Sequence, residues 1–227
     1  MPKKKAQDYK EESKKKFNEQ AEKFDSGYGG KHSRELYDDI LKRLDQFSFN
    51  KLLDVGCGTG NLLSFISSKY DTQIAGIDLS PNMLEIARKK LGEKADLRVE
   101  DSENLPFDDS TFDIVTCTDS FHHYPHPENV LAEMRRVLKP GGTVVIADPW
   151  APTPFRQFVN ISMRFSKGGE VKLYGETEIR KLLKNAGFKA IELEQIKGKN
   201  AFIVTASNWN EKIQFTGILS IILINKH

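Results

Sequence analysis

Residues 52–63 read Leu-Leu-Asp-Val-Gly-Cys-Gly-Thr-Gly-Asn-Leu-Leu, and this stretch decides the fold. The apolar run that opens it is typical of a buried parallel strand. Three glycines then stand at alternate positions, Gly56, Gly58 and Gly60, and an apolar segment with helical spacing follows. A strand, a glycine turn and a helix together let the backbone approach a ligand closely at the carboxyl end of a sheet. The stretch therefore predicts a ligand-binding α/β domain.

The spacing of the glycines indicates which kind of ligand to expect. The pattern is Gly-x-Gly-x-Gly, and Asn61 stands where the dinucleotide fingerprint Gly-x-Gly-x-x-Gly has its third glycine. Asp54 lies inside the motif. Its carboxylate would oppose a pyrophosphate but would suit a ligand with an ammonium group. We therefore expect a cationic cofactor rather than a phosphate ester.

The heptapeptide Asp-Val-Gly-Cys-Gly-Thr-Gly at 54–60 resembles the first motif of the class I S-adenosylmethionine-dependent methyltransferases. The likeness extends over roughly residues 33–207. Within this family the sequence is similar to the small-molecule branch that includes the ubiquinone/menaquinone methyltransferases. The resemblance implies a doubly wound, seven-stranded, mostly parallel α/β sheet of the Rossmann-like type. It also implies S-adenosyl-L-methionine as cofactor, S-adenosyl-L-homocysteine as product and a small molecule as methyl acceptor.

Composition narrows the class of protein. The chain has 227 residues, which suits one α/β domain with additions, and a net charge of +2, so no global field favours nucleic acid as a partner. Lysines cluster at the start, but no apolar run follows them and no signal peptide is expected. Cys57 and Cys117 both fall in predicted core or cofactor segments, which fits a reducing cytoplasm. No spacing typical of zinc ligands is present, so no metal is expected.

Alternating strand and helix patterns after residue 50 predict a parallel sheet. The predicted strands cover 51–55, 73–78, 96–99, 112–117, 143–147, 189–196 and 201–206. Ser80 and Pro81 predict one helix start, Pro127 begins another helix that Pro140-Gly141-Gly142 ends, and Thr177 is expected to cap a third.

Two segments outside this alternation complete the predicted domain organisation. Residues 1–50 form an expected N-terminal helical cap, interrupted by the glycine-containing stretch 26–30, and residues 51–207 form the cofactor-binding domain. A segment at 149–175 is rich in proline and aromatic residues. The resemblance implies that such additions cover the substrate, and the alternative is that they are ordinary surface elaborations. Residues 208–227 form a tail without an assigned role, whose apolar part at 213–224 is shorter than the roughly 20 residues of a membrane-spanning helix.

One cofactor contact follows from position. Asp78 ends the second predicted strand, where a carboxylate can accept hydrogen bonds from both ribose hydroxyls. Leu79 and Met83 follow it and could contact the face of the adenine ring.

The resemblance implies the other contacts. Asp101 would accept a hydrogen bond from the exocyclic amine of adenine, and the backbone N–H of Ser102 would donate to the ring. Thr118 would lie beside the methionine part of the cofactor, and Asp54 would bind its amino group or order the glycine loop. The predicted cofactor set is Asp54, Gly56, Cys57, Gly58, Gly60, Asp78, Leu79, Met83, Asp101, Ser102 and Thr118.

Methyl transfer from a sulfonium depends mainly on positioning and on exclusion of water. A base is required only when the acceptor must lose a proton. The candidates are His122 and His123, which follow the fourth predicted strand, and His123 is the first choice. The alternatives are that one histidine packs against the cofactor while the other faces solvent, and that the enzyme works by positioning alone.

Other classes fit the sequence less well. A DNA amino-methyltransferase would have an Asn/Asp-Pro-Pro-aromatic motif where residues 118–121 read Thr-Asp-Ser-Phe, and an arsenic methyltransferase would need several exposed cysteines. Asn61 and the final antiparallel-looking strand pair disfavour an NAD-dependent oxidoreductase. A domain that binds the cofactor without catalysis, as a sensor or partner subunit, remains the alternative function. The sequence leaves the acceptor and the oligomeric state open.

Overall fold

A computed structural model of the chain describes residues 4–209. Its helices and strands follow in the order α1 (Ala6–Gln20), α2 (Tyr28–Leu44), β1 (Lys51–Val55), α3 (Asn61–Lys69), β2 (Gln73–Asp78), α4 (Pro81–Leu91), β3 (Ala95–Val99), β4 (Phe112–Thr118), α5 (Pro127–Val137), β5 (Leu138–Pro149), α6 (Phe155–Met163), α7 (Glu176–Asn185), β6 (Lys189–Ile196) and β7 (Ala201–Ser207). Three 3-10 helices lie among them, at Ala21–Ser26, Gly92–Lys94 and Phe121–His123.

The seven strands form one sheet in the order β3-β2-β1-β4-β5-β7-β6. The first five strands along this order pair in parallel, and β7 runs antiparallel to both of its neighbours. The predicted seven-stranded, mostly parallel sheet is thus confirmed. From β1 the chain adds β2 and β3 on one side of β1, and it then crosses over to add β4 on the other side. The strand order therefore reverses between β1 and β4. Sheets of this kind bind ligands in the crevice at the carboxyl ends of these two strands.

Helices cover both faces of the sheet. On one face α5 and α7 bury Val130, Leu131, Ile179 and Leu183 against the strands. On the other face α2, α3 and α4 pack together, and α2 contributes Leu36, Ile40 and Leu44, each no more than 1% exposed. Helix α2 is therefore part of the main core, although it belongs to the segment expected to form the cap.

The start of α4 shows how local sequence signals set the fold. The Ser80 hydroxyl accepts a hydrogen bond from the Met83 N–H, and Pro81 occupies the first helical position, where its missing N–H costs nothing. Met83, Leu84, Ala87 and Leu91 form the buried stripe of this helix. The helix start agrees with the sequence-based prediction.

Helix α7 differs from its prediction. The expected cap at Thr177 is wrong, because α7 begins at Glu176 and its N-cap is Gly175. The Glu178 carboxylate accepts the Gly175 N–H at 3.0 Å, and this bond takes over the role expected of the Thr177 hydroxyl.

The glycine-containing stretch 26–30 was expected to interrupt the helical segment. Only its first two residues lie outside the α-helices, because α2 already begins at Tyr28. A Cβ at Gly30 would lie 2.3 Å from the Phe24 carbonyl oxygen. Here glycine serves close backbone packing inside a helix rather than a turn.

The segment 149–175 carries helix α6, which presents apolar side chains to solvent. Phe155, Phe158, Ile161 and Phe165 are each more than half exposed. Of the predicted tail, Asn208 and Trp209 are described, and its remaining residues lie outside the described range. None of the helices within residues 4–209 has the length and apolarity needed to cross a membrane.

Candidate active site

The glycine turn after β1 is closed by backbone hydrogen bonds to β2. The N–H groups of Gly56 and Cys57 both donate to the Ile77 carbonyl at 2.9 Å. Gly56, Gly58 and Gly60 all have positive φ, at +77°, +53° and +73°, a region that other residues adopt at a cost. The turn therefore requires glycine for its backbone conformation at all three positions.

The three glycines differ in what surrounds them. A Cβ at Gly58 would have no atom within 4 Å, and Gly58 borders an open cleft. At Gly56 a Cβ would lie 2.0 Å from the Ser120 hydroxyl oxygen. Gly60 packs against Ala87 of α4 and is not among the residues that line the cleft. The structure thus places Gly60 behind the turn, where it allows close helix packing.

Asp78 connects the turn to the start of α4. Its Oδ2 accepts the Gly58 N–H and its Oδ1 accepts the Ser80 N–H, both at 2.8 Å. Burial raises the pKa of Asp78, and these N–H donors oppose that rise. Each oxygen keeps a second lone pair, so the carboxylate can still accept from the hydroxyls of a ribose.

Asp54 is 2% exposed and accepts a hydrogen bond from the Thr116 hydroxyl at 2.7 Å. Burial, with a smaller contribution from the charge of Asp78, raises the pKa of Asp54 to about 7. Its environment therefore favours either a protonated carboxyl or a nearby positive charge.

Asn61, which replaces the third glycine of the dinucleotide fingerprint, has a defined partner. Its side-chain amide donates to Asp25 Oδ1 at 2.8 Å, and the Thr59 hydroxyl donates to the same oxygen at 2.6 Å. The second oxygen of Asp25 binds Lys90. This network fastens the N-terminal segment to the glycine turn, which the sequence alone did not reveal.

At the other end of the cleft, Asp101 is already engaged. Its Oδ2 accepts from Lys10 Nζ at 2.7 Å, and its Oδ1 accepts from the Glu103 N–H at 3.0 Å. Lys10 also pairs with Glu103. An adenine amine at Asp101 would therefore share this carboxylate with Lys10, a residue of α1 that sequence reasoning missed.

Most of the predicted cofactor residues meet in this cleft. Those that line it are Asp54, Gly56, Cys57, Gly58, Asp78, Leu79, Met83, Asp101, Ser102 and Thr118. The Thr118 hydroxyl is buried and has no hydrogen-bond partner among residues 4–209. The cleft fits a ligand that combines a ribose with a cationic amino acid. It has open space at Gly58, acidic side chains at Asp54 and Asp78, and an unpaired hydroxyl at Thr118.

A second cavity of about 820 Å³, called the outer cavity here, adjoins the cleft. Its apolar wall comes from α6 and the residues before it, including Trp150, Phe155, Val159 and Met163. Five residues line both the cleft and the outer cavity, and they are called the junction: Phe17, Phe24, Ser33, Asp119 and His123.

Comparison with known proteins gives this arrangement a family. A family model described as a methyltransferase domain matches residues 53–146. A demethylmenaquinone methyltransferase of Staphylococcus epidermidis is 33% identical over 166 residues, which are 70% of this chain and 69% of that protein. The chain belongs to the class I S-adenosylmethionine-dependent methyltransferases. The cofactor of this family is S-adenosylmethionine, whose chemical parts match those inferred from the cleft.

Two further comparisons define the extent of the likeness. The O-methyltransferase cnsE of Penicillium expansum is 32% identical over 160 residues, which are 68% of this chain and 58% of that protein. The chain thus spans little more than half of that relative. A SAM-dependent methyltransferase from Thermotoga maritima has a TM-score of 0.68 and 19% identity, and the match covers 86% of this chain and 99% of that chain, which shows a shared fold. The comparisons give no support to a non-catalytic sensor.

In this methyltransferase, His122 lines the outer cavity but not the cleft. Its Nδ1 lies 3.0 Å from Asp148 Oδ1. Burial opposes protonation of the ring, but the Asp148 carboxylate outweighs it, so the pKa of His122 is raised. Asp148 is the partner that sequence reasoning missed.

His123 belongs to the junction and has the opposite electrostatic environment. Its Nδ1 lies 3.5 Å from the Ser13 hydroxyl, and its ring packs against Phe17 at 5.2 Å between centroids. Burial, His122 and Lys16 together hold the pKa of His123 well below its usual value. The methyltransferase therefore keeps an uncharged imidazole at the point where cleft and outer cavity meet.

Proposed function

We propose that the protein transfers the methyl group of S-adenosylmethionine to a small molecule with an apolar body. The observation that carries this proposal is the shared junction, because a donor in the cleft and an acceptor in the outer cavity would meet there. The aromatic and aliphatic wall of the outer cavity suits an apolar acceptor. The name of the Staphylococcus relative, a demethylmenaquinone methyltransferase, is consistent with an acceptor of this kind.

The chain's own residues would hold the two reactants. Asp78 would accept hydrogen bonds from the ribose beside the glycine turn. Leu79 and Met83 would contact the face of the adenine ring, and Asp101 and Ser102 would form hydrogen bonds with its edge. Asp54 and Thr118 would bind the methionine part. Bound S-adenosylmethionine supplies a methyl group that is already activated as part of a sulfonium. Phe17 and Phe24 at the junction would keep water away from it.

For an acceptor that must lose a proton, we propose His123 as the proton acceptor. It lies at the junction, and its depressed pKa keeps it uncharged near neutral pH. A weak base suffices, because the nucleophile becomes far more acidic as its bond to the methyl group forms. His122 would then serve mainly to hold the loop, since its backbone carbonyl accepts from the N–H groups of Val171 and Lys172.

The proposed compartment is the cytoplasm. Cys57 and Cys117 are both buried free thiols, and burial raises the pKa of each thiol. They are unreactive hydrophobic residues in this setting, as expected of a protein from a reducing compartment.

A two-stage experiment tests the function. Isothermal titration calorimetry should detect binding of S-adenosylmethionine and S-adenosylhomocysteine, and NADH should bind more weakly or not at all. Small aromatic phenols, quinols and amines are then screened as methyl acceptors. S-adenosylhomocysteine should form only in reactions that also form a methylated product. Cofactor binding without turnover on any acceptor would favour the sensor alternative, and stronger binding of NADH would overturn the cofactor assignment.

A further inference from the structure

Asp119 is the acidic residue of the junction. It follows β4 directly and adopts a left-handed backbone conformation with φ +49°, which is uncommon outside glycine. Its N–H donates to the Ala147 carbonyl at 2.9 Å, which fixes the turn to β5. The side chain lines both the cleft and the outer cavity and is 11% exposed.

One oxygen of Asp119 is fully engaged with α2. Oδ2 accepts from the Ser33 hydroxyl and faces His32 Nδ1, both at 2.7 Å. The other nitrogen of His32 lies 3.2 Å from the Lys199 carbonyl oxygen. Both ring nitrogens therefore face acceptors, so a doubly protonated imidazolium satisfies both contacts. These contacts fix the orientation of the Asp119 side chain.

The second oxygen, Oδ1, has no such partner. It is buried and lacks a hydrogen bond within residues 4–209. A buried carboxylate oxygen without a donor is unfavourable, and native structures seldom retain one without a reason. Because the other oxygen is held by His32 and Ser33, the side chain cannot rotate to pair Oδ1 without breaking those bonds.

We propose that Asp119 Oδ1 binds a hydrogen-bond donor of the methyl acceptor and thereby selects acceptors with two donor hydrogens at one end of an apolar body. One hydrogen would bind Asp119, and the other would face His123, which lines the same junction. A vicinal aromatic diol has two such hydrogens, and a primary amine, which is an ammonium ion near neutral pH, has at least two. The inference rests on the proposed function, since it assigns the outer cavity to the acceptor.

The test uses probes that share a ring system and differ in donors. Binding of 2,3-dihydroxynaphthalene, 2-naphthylmethylamine and 2-naphthol is measured by calorimetry in the presence of saturating S-adenosylhomocysteine. The wild type should bind the diol or the amine at least about 10-fold more tightly than 2-naphthol, the scale of a hydrogen bond to a charged group. Which of the two binds more tightly distinguishes a diol acceptor from an amine acceptor.

Asp119→Asn is the decisive variant. Asparagine is tolerated in the left-handed region, so the fold should persist. Ser33 and His32 would retain the amide oxygen, and the NH₂ group would then point to the junction as a donor. We expect the preference for two donors to fall to within about 3-fold, while the affinity for S-adenosylhomocysteine stays within about 2-fold of wild type. Asp38→Asn, at an exposed position of α2, is the matched control and should change neither quantity.

Two results would overturn the proposal. One is the absence of any preference in the wild type, including no measurable binding of the three probes. The other is an Asp119→Asn variant that keeps the preference, whatever its affinity for S-adenosylhomocysteine; if that affinity also falls at least about 10-fold, Asp119 serves the cofactor instead. Failure of the proposed function gives a different result: the wild type then binds no S-adenosylhomocysteine, or, as a sensor, it binds the cofactor and the probes with the expected preference but methylates none of them.

Discussion

His122 Nδ1 lies 3.0 Å from Asp148 Oδ1, and Asp148 has no solvent exposure. This buried pair gives two adjacent histidines opposite protonation behaviour, because the carboxylate raises the pKa of His122 while burial and the neighbouring positive charges lower that of His123. The ring centroids of the two histidines are only 4.3 Å apart. A pH profile can therefore tell which of them acts as the base.

With His123 as the proton acceptor, kcat/KM should stay constant from pH 8 down to about 6.5, the usual histidine pKa. It should fall only at lower pH, where the imidazole gains a proton. His123→Asn should lower kcat by about 10²–10⁴ and leave the cofactor affinity unchanged. A profile that rises with pH through a pKa above 6.5, together with a similar loss of turnover in His122→Asn, would assign the base to His122 instead.

The Gly58 position can be tested against a matched glycine. Gly58 and Gly141 both have positive φ, +53° and +83°, and a Cβ at either would have no atom within 4 Å. Alanine at either position should cost about 1–2 kcal/mol of folding free energy through backbone strain. Because only Gly58 lines the cleft, Gly58→Ala should also lose most of its affinity for S-adenosylmethionine. Equal cofactor affinity in the two variants, measured by calorimetry, would show that the turn does not contact the cofactor.

Helix α1 packs against the segment after α6 at Gly169. A Cβ there would lie 2.5 Å from the Ser13 nitrogen, and Lys16 forms an ion pair with Glu170 beside it. We expect Gly169→Ala to separate the two elements, so that amides of residues 6–20 exchange hydrogen faster and S-adenosylhomocysteine protects them less. Gly198→Ala is the control, because its φ of +78° is similar but its Cβ would meet no atom within 4 Å. Unchanged exchange in Gly169→Ala would mean that α1 is held by its other contacts.

Local signals in the sequence explain most of the fold and the cofactor cleft. Buried parallel strands require apolar runs, and the turn after β1 requires glycine, so both can be predicted from residues adjacent in the chain. Asp78 could be predicted in the same way because it ends β2, whereas the roles of Asp101 and Ser102 came from the resemblance to the methyltransferase family. Lys10 on Asp101 and His32 on Asp119 could not be predicted, since 91 and 87 positions separate these partners. Such contacts depend on how α1 and α2 pack over the sheet, which periodicity does not encode.

The histidines show the same limit at closer range. Their position after β4 predicted that they lie at the rim of the site, but their relative basicity depends on Asp148 and Lys16. Asp148 reaches His122 only because β5 lies beside β4 in the sheet. Asp119 was visible as the residue after Thr118, yet its unpaired oxygen is a property of the folded structure alone.

Asp54 gives a prediction about stability. In the cofactor-free protein its pKa is raised to about 7 by burial, from an ordinary value of 3.8. Between these two values the folded state holds a proton that the unfolded state has released. The stabilising contribution of this proton is therefore complete below the ordinary pKa and is lost as pH rises through the folded value.

Asp54→Asn removes this titration and can still accept the Thr116 hydrogen bond through its amide oxygen. The melting temperature of the variant relative to wild type should therefore increase between pH 5 and pH 8.5, by about 2–4 °C for each kcal/mol that the wild type loses.

Asp113→Asn is the contrasting control. Although burial opposes it, hydrogen bonds from Lys139 and from the N–H groups of Asn50 and Lys51 lower the pKa of Asp113. Asp113 is thus already ionised in both states at pH 5, and its variant should show a constant difference across the range. If the difference in melting temperature between Asp54→Asn and wild type is also constant across this pH range, Asp54 is ionised in the folded protein throughout. Its charge would then be stabilised by a contact other than the bond to Thr116.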